Sequence, residues 1–183
     1  MMIALAGLVK RLHGDRRGVS AVEFALIAPV MILFYFGLAE LCQAYMAQRR
    51  MSHVASAVAD MVAQADVLTK DQLADITAIG PWIMKPFSAA TLTTKITSVT
   101  RDANGAAKVD WSVAHGPGAT AWGKQAAIAV PADTIAKGES LVMVETSVVY
   151  ESPIKYVIKK ATTLSSTFYL RPRRVDTVSC SDC

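Results

Sequence analysis

Three small groups of side chains stand where type and spacing could support chemistry. The first is the motif CSDC, Cys180 to Cys183. Two thiols at this spacing suit a local disulfide stapling a floppy tail, the form expected in an oxidising compartment. Pairing with another chain and free thiols remain open beside it. Exchange of the thioredoxin type needs a following helix to lower a thiol pKa, and none is expected here. Two ligands alone do not close a zinc site. The second group is His13, His53 and His115, which fall on a basic leader, a helix and a loop and suggest no shared metal. The third is the stretch RGVSAVEF, residues 17–24, where Gly18 precedes an apolar run and Glu23 stands inside it. A carboxylate at that depth either stays hydrated in the first turn of a helix, favoured by the positive helix end, or has a partner and a function. No phosphate-cradling glycine loop, HExxH, GxSxG or DxD cluster is present. Nothing therefore favours an enzyme, although triads assemble from distant residues, and no cofactor or metal is expected.

The elements that hold these residues follow from composition and period. The chain has 183 residues, room for one small domain plus an anchor. It is 52% hydrophobic but only 7% aromatic, so much of its apolar content is alanine and valine suited to close helix packing. Most of the +4 net charge lies in the first 18 residues, where Lys10, Arg11, Arg16 and Arg17 face only Asp15. The nearly neutral remainder gives no support to nucleic-acid binding. Phe24 to Ala39 is uncharged, and Val19 to Gln48 is broken only by Glu23 and Glu40. A bilayer needs about 20 mainly apolar residues. This run therefore predicts a spanning helix over 19–48, kinked or loosened at Pro29. The basic flank places its start in the cytoplasm. No small-x-small cleavage site precedes a polar mature start, which disfavours an ordinary secretory signal. Cys42 is expected as a small apolar residue of this helix.

Past the span, Met51, Val54, Ala55, Val58, Met61, Val62 and Ala65 recur at helical spacing. They predict an amphipathic continuation over 49–68 that packs on the chain's own domain or on sister subunits. Thr69 and Gln72 form a capping box for a short helix ended by Gly80-Pro81. Asn104-Gly105 joins two β-rich runs as a hairpin, with Val109, Trp111 and Val113 on one face. A long strand places Val142, Val144, Val148 and Tyr150 on one side and stops at Pro153. The stretch 156–173 starts helically and ends as a strand. The basic residues Lys155, Lys159, Lys160, Arg171, Arg173 and Arg174 read as a solvated face, with anionic headgroups or an acidic partner as the alternative. The expected fold is α+β and pilin-like: a long N-terminal transmembrane and amphipathic helix packed on a small antiparallel sheet of about four strands. Its parts are a leader over 1–18, the span over 19–48, the continuation over 49–68, a periplasmic domain over 69–174 and a tail over 175–183.

RRGVSAVEFALIAPVMILFYFGLAE, with VADMVAQ, DANGAAKVDWS and STFYLRPR behind it, resembles the TadE/TadG-like pilus-assembly family of tight-adherence, Flp-type systems. The similarity covers most of residues 16–174 and is most specific at the N-terminus. GVSAVEF resembles a type IV prepilin processing site. The resemblance implies cleavage between Gly18 and Val19 by a prepilin peptidase, with Glu23 fifth in the mature chain and Glu23 and Phe24 serving subunit assembly. Phe24 departs from the Glu-Tyr pair of the major Flp pilin, and the chain is much longer, which points to a minor pilin or pseudopilin. The implied partners are the peptidase, other pilins and pseudopilins, the inner-membrane assembly platform and membrane lipid. The implied location is the bacterial inner membrane, N-terminus cytoplasmic and domain periplasmic, with incorporation in an extracellular pilus as a further possibility. The alternative is an uncleaved single-pass protein whose periplasmic domain binds a ligand or partner.

Overall fold

The computed structural model describes residues 18–131 and 134–183. The basic leader, with Lys10, Arg11, His13, Asp15, Arg16 and Arg17, lies outside the described residues. One helix, α1 (Val19–Ala63), contains both the apolar run and the amphipathic stripe and runs unbroken through Pro29. Its first half is bare. Val22, Phe24, Leu26, Val30, Phe34 and Tyr35 all expose more than half of their surface. Its second half buries Glu40, Ala47, Met51, Val54, Ala55, Val58, Ala59, Val62 and Ala63. Met61, expected within the stripe, is 43% exposed, and Ala59 takes part instead. At about 100° per residue the buried arc runs from Val54 round to Ala63, and Met61 lies just outside its Val54 edge.

The helix ends at Ala63, short of the continuation expected to residue 68, because Val67–Leu68 are drawn into a strand, β1, at the domain's edge. Thr69 then caps α2 (Lys70–Thr77): its hydroxyl accepts from the Gln72 amide while Gln72 Oε1 accepts from the Thr69 amide. Gly80-Pro81, expected to end that helix, instead opens another, α3 (Gly80–Met84). Proline suits a first helical turn, where its missing N–H has no partner to lose.

Four strands follow: β2 (Thr93–Arg101), β3 (Ala107–His115), β4 (Ser140–Tyr150) and β5 (Thr162–Leu170). They form an antiparallel sheet in the order β3-β2-β4-β5. The β2–β3 turn uses Gly105 at φ +91, a conformation that glycine adopts freely. No helix begins at residue 156; residues 151–161 are a connection without regular structure. A bulge at Asp110 shifts the β2–β3 register, and its carboxylate accepts hydrogen bonds from Ser98 and Thr100 at 3.0 and 2.7 Å.

The α1 stripe lies on the sheet face formed by Ile96, Trp111, Val113, Val142, Val144 and Val148, with Leu73, Met84 and Leu92 closing the sides. A smaller core of Val99, Ala107, Ile135, Leu141 and Met143 forms on the opposite face. The molecule is thus α+β, a long helix on a four-stranded antiparallel sheet, as its periodicities predict. The last segment is not floppy. Val178 is fully buried, Trp111 Nε1 donates to its carbonyl at 2.7 Å, and β6 (Ser179–Cys180) pairs in parallel with β1.

Candidate functional site

The residues around the expected cleavage point lie together at the foot of α1 and away from the domain. Gly18 stands at the N-cap with φ −79° and ψ −17°, an ordinary right-handed conformation, and makes no side-chain cap. A Cβ placed there would meet nothing within 4 Å. The described fold therefore makes no use of glycine at position 18, since any residue would fit its backbone and space. Val19, Glu23 and Phe24 are exposed, Phe24 by 72%. Glu23 falls beyond the first turn, which holds no acid. Stabilisation by the helix end fades within that turn, one residue short of Glu23. Spacing i, i+4 stacks Val19 and Glu23 on one helix face.

A second acid on the same helix has the opposite environment, and it was missed as a functional residue from sequence. Glu40 has no exposed surface although it stands one residue after the uncharged run. The β4–β5 connection wraps it. The Val157 amide donates to Glu40 Oε2 at 2.5 Å, with the Tyr156 and Ile158 amides and the Ser152 hydroxyl beside the carboxylate. Glu40 Oε1 and the Tyr150 hydroxyl are both buried without a protein partner. Burial first, and then the charge of Glu40, push the Tyr150 phenol above its ordinary value. Glu40 precedes Val58 by 18 residues, about five helical turns, and so continues the buried stripe in phase. That phase was the available signal. Its partners, more than a hundred residues away, gave none. Beside this cluster a groove of about 510 Å³ opens between α1, the α3–β2 connection and the end of β4, lined by Gln43, Met84, Phe87 and Tyr150 among others.

The cysteines lie far from both acids. Cys180 and Cys183 are joined in the structure beside β1, beyond the C-terminal end of α1. Cys42 is free and exposed on the helix surface. Among the described histidines, His53 lies on α1 and His115 at the end of β3, and they form no cluster. Arg171, Arg173 and Arg174 of the basic cluster pair with Glu139, Asp60 and Asp66, and Lys155 with Glu151.

α1 is long and apolar enough to cross a membrane, and its most apolar stretch is not buried by the domain. Neither a curated protein nor a solved structure matches the chain. Residues 18–60, from the glycine at the foot of α1 to three residues short of the helix end, match the family described as TadE-like protein. Over that segment, 43 of the 183 residues, the chain is similar to TadE-like proteins, which supports the resemblance to the TadE/TadG-like pilus-assembly family.

Proposed function

We propose that the protein is a minor pilin or pseudopilin, made as a precursor in the inner membrane with its leader in the cytoplasm and its domain in the periplasm. A prepilin peptidase hydrolyses the Gly18–Val19 amide, leaving the carboxylate on Gly18 and a new α-amine on Val19. The retained α1 then packs against other pilins to initiate, prime or cap a fibre. The observation that carries this reading is Gly18 itself: a glycine that the described fold does not require, at the first residue of the family match, before a bare apolar helix. A glycine without side chain suits a protease cleft that takes the chain extended. Glu23 neutralises the Val19 amine, in its own chain or a neighbour's. In an apolar bundle such a pair attracts far more strongly than in water, and one member alone is costly. The pairing thereby selects the register between subunits.

Mass spectrometry of the protein extracted from membranes of peptidase-positive cells tests this. The N-terminus should be Val19, Gly18→Ala should leave the precursor intact, and Glu23→Ala should be cut yet absent from sheared fibres. A wild-type chain retaining Met1 or Met2 would overturn processing, and normal assembly of Glu23→Ala would overturn the pairing.

A further inference from the structure

The β4–β5 connection, residues 151–161, exposes apolar side chains where the helix leaves its apolar run. Ile154, Tyr156 and Val157 are 36%, 44% and 51% exposed. Lys155, Lys159 and Lys160 lie among them, and among the described residues Lys159 and Lys160 have no ion-pair partner. This connection is fastened to α1 at a definite height. The Val157 amide is bound to Glu40, and Val157 Cγ2 lies 3.4 Å from where a Cβ would stand on Gly37. Gly37 belongs to the uncharged run that ends at Ala39. An exposed valine is thus held level with the last turn of the apolar segment. The uncharged residues 24–39 rise about 24 Å at about 1.5 Å per residue, somewhat less than the roughly 30 Å of a hydrocarbon core. The core therefore takes in the whole uncharged run and about 6 Å more, shared between its two ends, so the outer boundary falls within about a turn of Glu40 and close to the height of the connection.

We propose that residues 154–160 are a foot resting on the outer surface of the bilayer that α1 crosses. Ile154, Tyr156 and Val157 enter the boundary between headgroups and acyl chains, and Lys159 and Lys160 reach anionic headgroups. This is the distribution of an interfacial segment: apolar and tyrosine side chains inward, lysines extending to the charged layer. Lipid is the occupant because the apolar surface of the foot continues that of the exposed helix half and carries the sign that anionic headgroups attract. The latch also shields Glu40, a carboxylate at the hydrocarbon edge, with amide N–H groups. Strand register places the β2–β3 turn at the far end of the sheet, since Thr100 faces Ser140 and Thr93 faces Ser147. The foot and the helix together fix the domain's tilt, with that turn pointing away from the membrane.

This inference rests on the membrane span, and the test separates the two. In the full chain carrying Cys42→Ser, an environment-sensitive fluorophore is attached at Val157→Cys, at Tyr156→Cys, at Phe34→Cys within the span, or at Ala103→Cys in the distal turn. Each is reconstituted in phosphatidylcholine vesicles with or without phosphatidylglycerol. Labels at 156 and 157 should emit to the blue of the label at 103. Nitroxides near the headgroup should quench them several-fold more strongly than they quench 103, and aqueous iodide less. Lys159→Glu with Lys160→Glu should weaken that quenching in anionic vesicles and leave the label at 34 unchanged. Labels at 156 and 157 open to iodide like that at 103 would overturn the foot, as would blue-shifted labels untouched by lipid nitroxides, which mark a protein partner. A label at 34 in water would overturn the span and the foot with it.

Discussion

Glu40 is held by groups that only the folded chain brings to it: the Val157 amide, with Tyr156, Ile158 and Ser152 around the same carboxylate. Its removal leaves the Val157 N–H without its protein partner, which weakens the hold on the connection. The effect is local, because the connection it fastens is otherwise tied down at Ser152, whose hydroxyl accepts from Ile154 and Lys155. Glu40→Ala should therefore release residues 156–161 and speed tryptic cleavage at Lys159 and Lys160 in the full-length protein in micelles, with little change at Lys108 within β3. Glu40→Gln keeps an acceptor and should fall between. Equal cleavage rates in all three proteins would show that the latch does not restrain the loop. The roles proposed for Gly18 and Glu23 rest on local spacing, which a sequence displays directly. Glu40 was visible as a break in the apolar run, yet its role depends on a segment that sequence spacing cannot place against it.

Among the elements, α1 divides into a bare half and a docked half, and the dividing point is Glu40. The docked half carries the helix–sheet core, so equal changes on its two sides should differ in effect. Met51 is fully buried and Met61 is 43% exposed. Met51→Ala is expected to cost about 2–5 kcal/mol, the range for emptying a packed methionine site, and Met61→Ala less than about 0.5 kcal/mol. Urea unfolding in micelles followed by tryptophan fluorescence measures both, and similar losses would mean that the stripe is wrongly placed. The elements best read from sequence are those whose cause is local: the Thr69–Gln72 box, the Asn104-Gly105 turn and the alternation of β4. The short β1 and β6 could not be read in this way. Each has two residues and no period of its own, and each exists because the other is adjacent. The stretch 156–173 is expected to start helically, but its first residues hold no regular structure and the Val157 amide is bound instead to Glu40.

At the scale of the whole molecule, the two ends of the docked helix are secured differently, the lower by the β4–β5 connection and the upper by the C-terminal segment. The Arg173 amide donates to the Ala63 carbonyl, the Ser179 amide to Asp66, and the Ser181 amide to Leu68. The Lys70 amide donates to Asp182 Oδ1 at 2.9 Å, and Val178 fills the core under Trp111. The Cys180–Cys183 bond closes a loop of only a few residues, which restricts the unfolded chain little, so its loss should cost about 2 kcal/mol or less. Val178→Asp instead places an unpaired carboxylate among apolar side chains and should remove several kcal/mol. In urea unfolding of the full chain, Val178→Asp should shift the midpoint well below that of Cys180→Ser with Cys183→Ser, and Trp111 fluorescence should report the loss. If the cysteine pair proved the more damaging, the segment would depend on its staple rather than on its packing. With packing dominant, the segment holds the upper end of α1 to the sheet whatever the redox state of the cysteines, so a force along the bare half reaches the domain through a helix secured at both ends of its docked face.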